Sequence, residues 1–581
     1  EVRRVARMRG SLLWLALVCH VALAGAYAIT TPAFEGPDEN SHYEYAWQLG
    51  NARRLPLAPG LQLARGLPRT EAAELAHHPP LYYSLLGGVL LALDADDTVF
   101  GPRLNPHFAA AEHPAGHLKF RHGAKPHRVL VALRWVSVLL GALSIVCVHR
   151  LARIVGSASP RVADLAALLV ACLPMWSFLH GVLNSDVLAI TLVSATLCSL
   201  ARLADGAPLT WPRAIGLGAL LGLAMLAKLT TLFLLPLAGA VAALRVWRAL
   251  RAGAAPTAPP LRLELLRTLT VLGLVAAIWA PWLVRNTQLY GDPLALSVHD
   301  AAFPPIPPEY RYTWFTEGFL PTIFPSLFGR FGWFSLPPPD ALVALGAMVA
   351  AIAALGLVRA ALEPGRPAVP RATWLLLAAM ALVFAGTAQF NLKAPQPQGR
   401  LLLTAAAPAA VLLAAGLERI SRRWRWRRWL LALLPLVAAC TWFGWFLPAF
   451  DPALAPLEPH DRELVGAIAA GANERGIRWR EPVPVPSDAP PLLAWHDPDA
   501  PPDTRYTLYA FDAAGRVYIA THEWGADAVA LRGDAAPLPG PAWDMLPPNV
   551  DLFLRLRRLP TDAATPPERQ PASPPLPFRR R

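Results

Sequence analysis

From Ser11 to Thr30 the chain runs twenty residues without an Asp, Glu, Lys or Arg. A helix of that length crosses a hydrocarbon core about 30 Å thick. Inside lipid the backbone must satisfy its own polar groups, so such a run can be little else than a helix. Comparable runs recur at Val129–His149, Val162–Leu179, Val187–Leu200, Thr268–Leu283, Ala341–Val358, Ala372–Phe390, Leu401–Leu417 and Leu430–Leu447. The block Ala214–Leu244 has arginines at both ends and Lys228 near its middle. It reads as two short helices meeting at that lysine. The expectation is therefore an α-helical polytopic membrane protein of about eleven transmembrane helices.

Charge supports this and excludes another class. Only 16% of residues are charged, against about 25% in soluble proteins. The net charge of +13 would suit nucleic acid in a soluble chain. Here the arginines cluster at one set of helix ends, as in Arg150 and Arg153, Arg245 to Arg251, and ERISRRWRWRRW after Leu417. That is the positive-inside pattern, so no nucleic-acid partner is expected. It places the N-terminus in the cytoplasm and residues 450–581 outside. AGAYA at 24–28 faintly resembles a signal-peptidase site, so a cleaved leader is the alternative to a first span. The five cysteines lie in or beside apolar runs, with no spacing that suggests a disulfide or zinc site.

The outer segments differ from the inner ones. Residues 31–128 form a long first loop with a shorter apolar piece, Pro79–Leu93. At about 22 Å of helix it is too short to span, and reads as surface-lying or re-entrant. Residues 287–340 are rich in aromatics and proline, which suits a structured cap at the membrane interface. Arg134, near the outer end of its span, reads as snorkelling. In the outer tail, residues 450–560 read as a small α+β domain. It would hold a helix at 460–476 and a hairpin at 507–522 turning at Asp512–Gly515. Residues 561–581 read as disordered.

Acids crowd the start of the first loop, in FEGPDENSHYEYAWQ at 34–48. Clustered acids at a span boundary are functional candidates, since anchoring does not need them. Six landmarks follow in order: GPDENSHYEYAWQLGNARRLP (36–56), HHPPLYY (77–83), LNSD (183–186), AKLT (227–230), RNTQLYGDP (285–293) and PQGRLLL (397–403). In this order they resemble the glycosyltransferase C superfamily. The nearest likeness is to bacterial members grouped with protein O-mannosyltransferases and the lipid A aminoarabinose transferase. The likeness covers the first ten spans, roughly 420 residues, and leaves out the tail.

The resemblance implies a bacterial cytoplasmic-membrane enzyme with outward-facing catalytic loops. Its donor would be a polyprenyl-phosphate-linked sugar; its acceptor an envelope glycan, lipid or protein; the transfer inverting. By position Asp38 matches the first-loop catalytic acid and is expected as general base. Glu39 would orient it or touch the acceptor, and Asp186 would support the site. His42 would tune the base. His78, Tyr82 and Asn184 would contact the donor. Lys228, Arg285 and Arg400, with Gln398, would hold its phosphate, guanidinium being suited to bidentate phosphate binding. Each has a plainer reading: helix capping for Asp38 and Asn184, a helix-dipole contact for Glu39, snorkelling for Lys228, headgroup anchoring for the arginines. Glu35 and Glu44 read as solvated acids. A divalent metal could bind Asp38, Glu39, Asp186, His42 and His78 if their loops converge, but no spacing requires one and no cofactor is assigned. A flippase for lipid-linked sugars or an assembly scaffold are the other classes; transporters often show matching halves, and no internal repeat is seen.

Overall fold

The computed structural model describes residues 2–67, 70–95, 117–120, 128–155, 159–252, 260–302, 305–364, 369–421, 427–450, 476–480, 487–501, 504–512, 517–520, 531–538, 543, 546, 551–558 and 572–581. The chain divides into two compact units, one of which holds the membrane helices and one most of the C-terminal residues.

Among the described residues, nine helices are long and apolar enough to cross a membrane: Leu12–Thr30, Arg128–Val155, Asp186–Ala204, Leu229–Arg251, Leu261–Tyr290, Asp340–Ala361, Arg371–Asn391, Gly399–Ile420 and Ala432–Ala449. The protein is a multi-pass membrane protein. The difference from eleven lies in two expected spans. The stretch read as Val162–Leu179 is two short helices, Pro160–Ala171 and Pro174–Leu179. Pro174 has no N–H to continue the first and begins the second. The helix before Lys228, Trp211–Ala227, has only 17 residues. At Lys228 the backbone is extended, and a 3₁₀ turn, Leu229–Phe233, precedes the helix Leu234–Ala252. The Thr231 hydroxyl lies 2.8 Å from the carbonyls of both Ala224 and Lys228, so it ties the two sides of the break together.

The first loop folds on top of these helices. Glu39–Gly50 packs against Leu81–Ala92, the expected short apolar helix. Their crossing needs glycine: a Cβ on Gly50 would stand 2.7 Å from the Gly87 carbonyl oxygen. Phe34, Tyr43, Tyr45, Tyr82, Tyr83 and Leu86 form one core with Leu130, Leu133 and Val187 from the span ends beneath.

Three acids in this loop correct the sequence reading. Glu35 is buried and accepts the backbone N–H groups of Lys119 (3.1 Å) and Phe120 (2.7 Å). Glu44 is buried and accepts the N–H of Ala72 at 2.9 Å. Both tie distant loop segments together. Glu39 is fully buried and forms a two-pronged ion pair with Arg134, at 2.8 and 2.6 Å. Arg134 therefore does not snorkel; it is also fully buried.

In the C-terminal unit most of the described residues are in β-strands. Its strands are β1 (Arg478–Trp479), β2 (Leu492–His496), β3 (Arg505–Asp512), β4 (Val517–Ala520), β5 (Leu531–Arg532), β6 (Ala535–Pro537), β7 (Asp551–Arg558) and β8 (Leu576–Arg579). They form sheets β1-β2-β6 and β4-β3-β7-β8, with β5 on β3, all antiparallel. The pairing of β3 with β4 is the expected hairpin, although its turn and the helix expected at 460–476 lie outside the described residues. Strand β8 contradicts the expectation of disorder to the C-terminus. Leu576 and Phe578 alternate into the core while Pro577 sits between them on an edge strand, where a missing N–H does no harm.

Candidate active site

Asp38 occupies the residue before the first-loop helix, where the sequence suggested a cap. Its side chain makes no capping hydrogen bond, and its backbone is left-handed, at φ 59° and ψ 15°. A non-glycine residue in that region is strained, and such strain gathers at functional sites. The carboxylate instead meets Arg400, with Nη2 donating to Oδ2 at 3.2 Å. Although deep in the protein, 37% of the Asp38 side chain remains accessible. Burial pushes its pKa up, but Arg400, His42 and Lys119 outweigh that and hold it below its ordinary value. Asp38 is thus an ionised, reachable carboxylate.

Arg400 is aimed by two neighbours. Its Nε donates to Gln398 Oε1 at 2.7 Å, and its guanidinium lies 4.8 Å from the centre of the Phe334 ring. The backbone before it is pinned by a 2.7 Å bond from Gly399 N to Ser326 Oγ.

A second ion pair stands nearby. Lys228 Nζ donates to Asp186 Oδ1 at 2.6 Å. The break in the helix thus brings the lysine to the start of the helix Asp186–Ala204, and the other Asp186 oxygen is buried without a partner. His42 lies within electrostatic reach of both pairs, feeling Asp38, Lys228, Arg400 and Asp186. Burial pushes His42 down to about 3, so its ring is neutral at physiological pH. Its Nδ1 is 2.9 Å from Tyr83 Oη, and His78 Nδ1 is 2.8 Å from the same oxygen. The phenol has one proton to give, so one imidazole accepts while the other donates. Tyr83 is held in turn by Tyr45, stacked at 3.7 Å.

Asp38, His42, His78, Asp186, Lys228, Gln398 and Arg400, expected from sequence, are thus brought into one neighbourhood. Four others are engaged in contacts of their own. Glu39 is consumed by Arg134 and also accepts the Leu183 N–H at 3.0 Å. Tyr82 is buried, its hydroxyl bonded to Ser137 Oγ and the Asn184 N–H. Asn184 is buried, accepting the Asp186 N–H at 2.9 Å and donating to the Leu179 carbonyl at 3.0 Å. These three frame the site. Arg285 donates to the Pro56 carbonyl at 2.9 Å and packs on Trp282. Its charge reaches Tyr45, one layer behind the histidines.

Sequence reasoning missed Lys119, whose ammonium lies 3.2 Å from the Trp333 ring centre and whose charge acts on Asp38. It also missed Trp333 and Phe334. Among the described residues no group of three or more His, Cys, Asp or Glu is placed to hold a metal.

These features define a polytopic membrane protein with paired acids and cations at its helix ends. Residues 127–258 match the profile of the family described as dolichyl-phosphate-mannose-protein mannosyltransferase. The matched stretch contains Asp186 and Lys228 but neither Asp38 nor Arg400. Among solved structures, the chain is similar to ArnT from Cupriavidus metallidurans bound to undecaprenyl phosphate, at 13% identity and TM-score 0.45, covering 80% of this chain and 81% of that one. It is also similar to the S. cerevisiae protein O-mannosyltransferase Pmt1-Pmt2 complex bound to the sugar donor, at 16% identity and TM-score 0.33, covering 52% and 36%. No functionally curated protein matches the sequence.

Proposed function

We propose that this protein is a membrane glycosyltransferase that moves a sugar from a polyprenyl-phosphate carrier to a hydroxyl of an envelope glycan, lipid or protein. The reaction needs a base for the acceptor proton and cations for the departing phosphate, whose charge grows in the transition state. Asp38 is the base. It is ionised and accessible, so an acceptor hydroxyl can approach it. As the acceptor oxygen attacks the sugar C1, its proton passes to Asp38, the bond from C1 to the phosphate oxygen breaks, and the configuration inverts. Arg400 and Lys228 receive the phosphate, while Asp186 keeps the ammonium in place until then. His42, neutral and fixed by Tyr83, can accept a hydrogen bond from a ligand without adding charge. Nothing in this scheme requires a metal.

The observation that carries the reading is Asp38 itself: strained, uncapped, accessible, and faced by Arg400 within reach of a second acid–cation pair. The family match over 127–258 supports the same chemistry from a different part of the chain. The test is transfer by the purified protein in liposomes, from a polyprenyl-phosphate sugar to an envelope extract. Asp38→Asn should lower turnover at least about 100-fold, the usual span of lost general-base catalysis, with expression and thermal stability kept. Undiminished transfer by that variant rejects the assignment. Movement of the donor across the bilayer without transfer would instead establish a flippase.

A further inference from the structure

The segment from Gly329 to Leu336 closes on itself and packs against the Asp38 site. Phe331 and Leu336 exchange two backbone hydrogen bonds, of 2.9 and 3.3 Å, with Phe334 at the tip between them. Gly329 (φ 130°) and Gly332 (φ 61°) provide conformations that suit glycine. Phe334 is also left-handed, at φ 63°, although a glycine would hold that position without strain. Two further non-glycine residues of this kind, Phe34 (φ 66°) and Asp38 (φ 59°), belong to the same network. Trp333 Nε1 donates to the Phe34 carbonyl at 3.1 Å, and the Trp333 ring carries the Lys119 ammonium. Arg330 Nε donates to the Phe334 carbonyl at 2.7 Å, fixing the strained backbone. The result of this strain is one contact: the Phe334 ring against the Arg400 guanidinium that pairs with Asp38.

We propose that Phe334 is a positioning residue of the transfer site, its ring holding the Arg400 guanidinium against Asp38 while Trp333 ties the strap to Phe34. The proposal rests on the glycosyltransferase reading for its catalytic consequence. Gln398 fixes Arg400 only through Nε, which leaves the plane of the guanidinium free to tilt. The aromatic face removes that freedom. The charged and titratable groups that act on or feel Asp38 are Arg400 from the 3₁₀ turn Gly399–Ala405, His42 from the first-loop helix, Tyr83 from the helix Leu81–Ala92, His77 just before that helix, and Lys119 from the segment 117–120. Of these, Arg400 is the one whose charge lies over the Phe334 ring among the described residues. Loosening it should therefore leave Asp38 a stronger base that protonates at higher pH.

Three variants separate ring from backbone. Phe334→Gly keeps the left-handed turn and removes the ring; Phe334→Leu keeps apolar bulk without a π face; Phe334→Tyr keeps both. The Gly and Leu variants should lose about tenfold in kcat/KM, the scale of a partly buried cation–π contact. The acid limb of their pH–rate profiles should move upward by about half a unit or more, and the Tyr variant should follow the parent. An acid limb that stays in place in the Gly and Leu variants overturns the proposal, whatever their rates. If the parent itself does not transfer sugar, amide hydrogen exchange over residues 34–42 decides. Faster exchange in the Gly and Leu variants but not in Tyr keeps the positioning role while the transferase reading falls; unchanged exchange ends both.

Discussion

A guanidinium within an apolar helix is costly unless every donor is matched, and Arg134 matches all five. Besides its two bonds to Glu39 it donates to the carbonyls of Ala28, Thr31 and Pro32, so one side chain joins three chain segments. Removing one partner strands the other charge, which typically costs about 3–5 kcal/mol. Glu39→Gln should therefore lower the unfolding temperature in detergent sharply, while the protein that remains folded keeps its rate. A chemical-step defect with unchanged stability would return Glu39 to the catalytic list. The signal for this pair was present in the sequence, since an ionisable residue inside a span is a candidate by default. What sequence could not supply was the partner, 95 positions away. Glu35 leads to a pH prediction. Burial raises it to about 8, against the pull of its two N–H donors and Lys119. A raised folded value favours the protonated form in the fold. Its stabilisation is full below the ordinary value of 4.5 and is lost as pH rises through about 8. The unfolding temperature should fall from pH 6 to 9, and Glu35→Gln should flatten that slope.

At the scale of elements, the first-loop helix pair is the part on which the site depends most. Gly50 and Gly87 let two backbones meet, and the atoms opposing an added methyl are backbone atoms that cannot swing aside. Gly87→Ala should cost about 1–3 kcal/mol and reduce transfer, because the Tyr45–Tyr83 stack and the two histidines it supports ride on this crossing. Gly88 is the control. A Cβ there meets nothing within 4 Å, so Gly88→Ala should hold or raise the unfolding temperature, by up to about 1 kcal/mol of helix propensity. The existence of the short helix was legible from its apolar run, and the break at Lys228 from arginines flanking a block that had to fold back. The crossing was not legible, because a glycine pair reveals its purpose only once two helices meet. Strand β8 was missed for the opposite reason: PPLPFRR has the composition of a linker, and only the alternation of Leu576 and Phe578 about a proline marks a strand.

For the whole molecule, every site residue depends on which side of the membrane its loop faces. Arg359 lies in the last turn of one span, and Arg245 to Arg251 end another, whereas Asp38, His78 and Asp186 belong to loops or helix starts at the opposite set of ends. If the membrane sorts these ends by positive charge, the acid–cation pairs open to the outer face. There a lipid-linked sugar can present its phosphate at the headgroup level and keep its tail in the bilayer. Two exposed positions test this without any substrate. Tyr312 lies in the loop 287–340 and is 78% exposed; Leu362 follows the helix Asp340–Ala361 and is 76% exposed. With Cys440 replaced by serine, a membrane-impermeant maleimide should label Tyr312→Cys in intact cells. It should reach Leu362→Cys only after lysis. The reverse pattern would turn the site toward the cytoplasm, where Asp38 would face a different pool of acceptors and the carrier would have to be loaded on the same side on which it is spent.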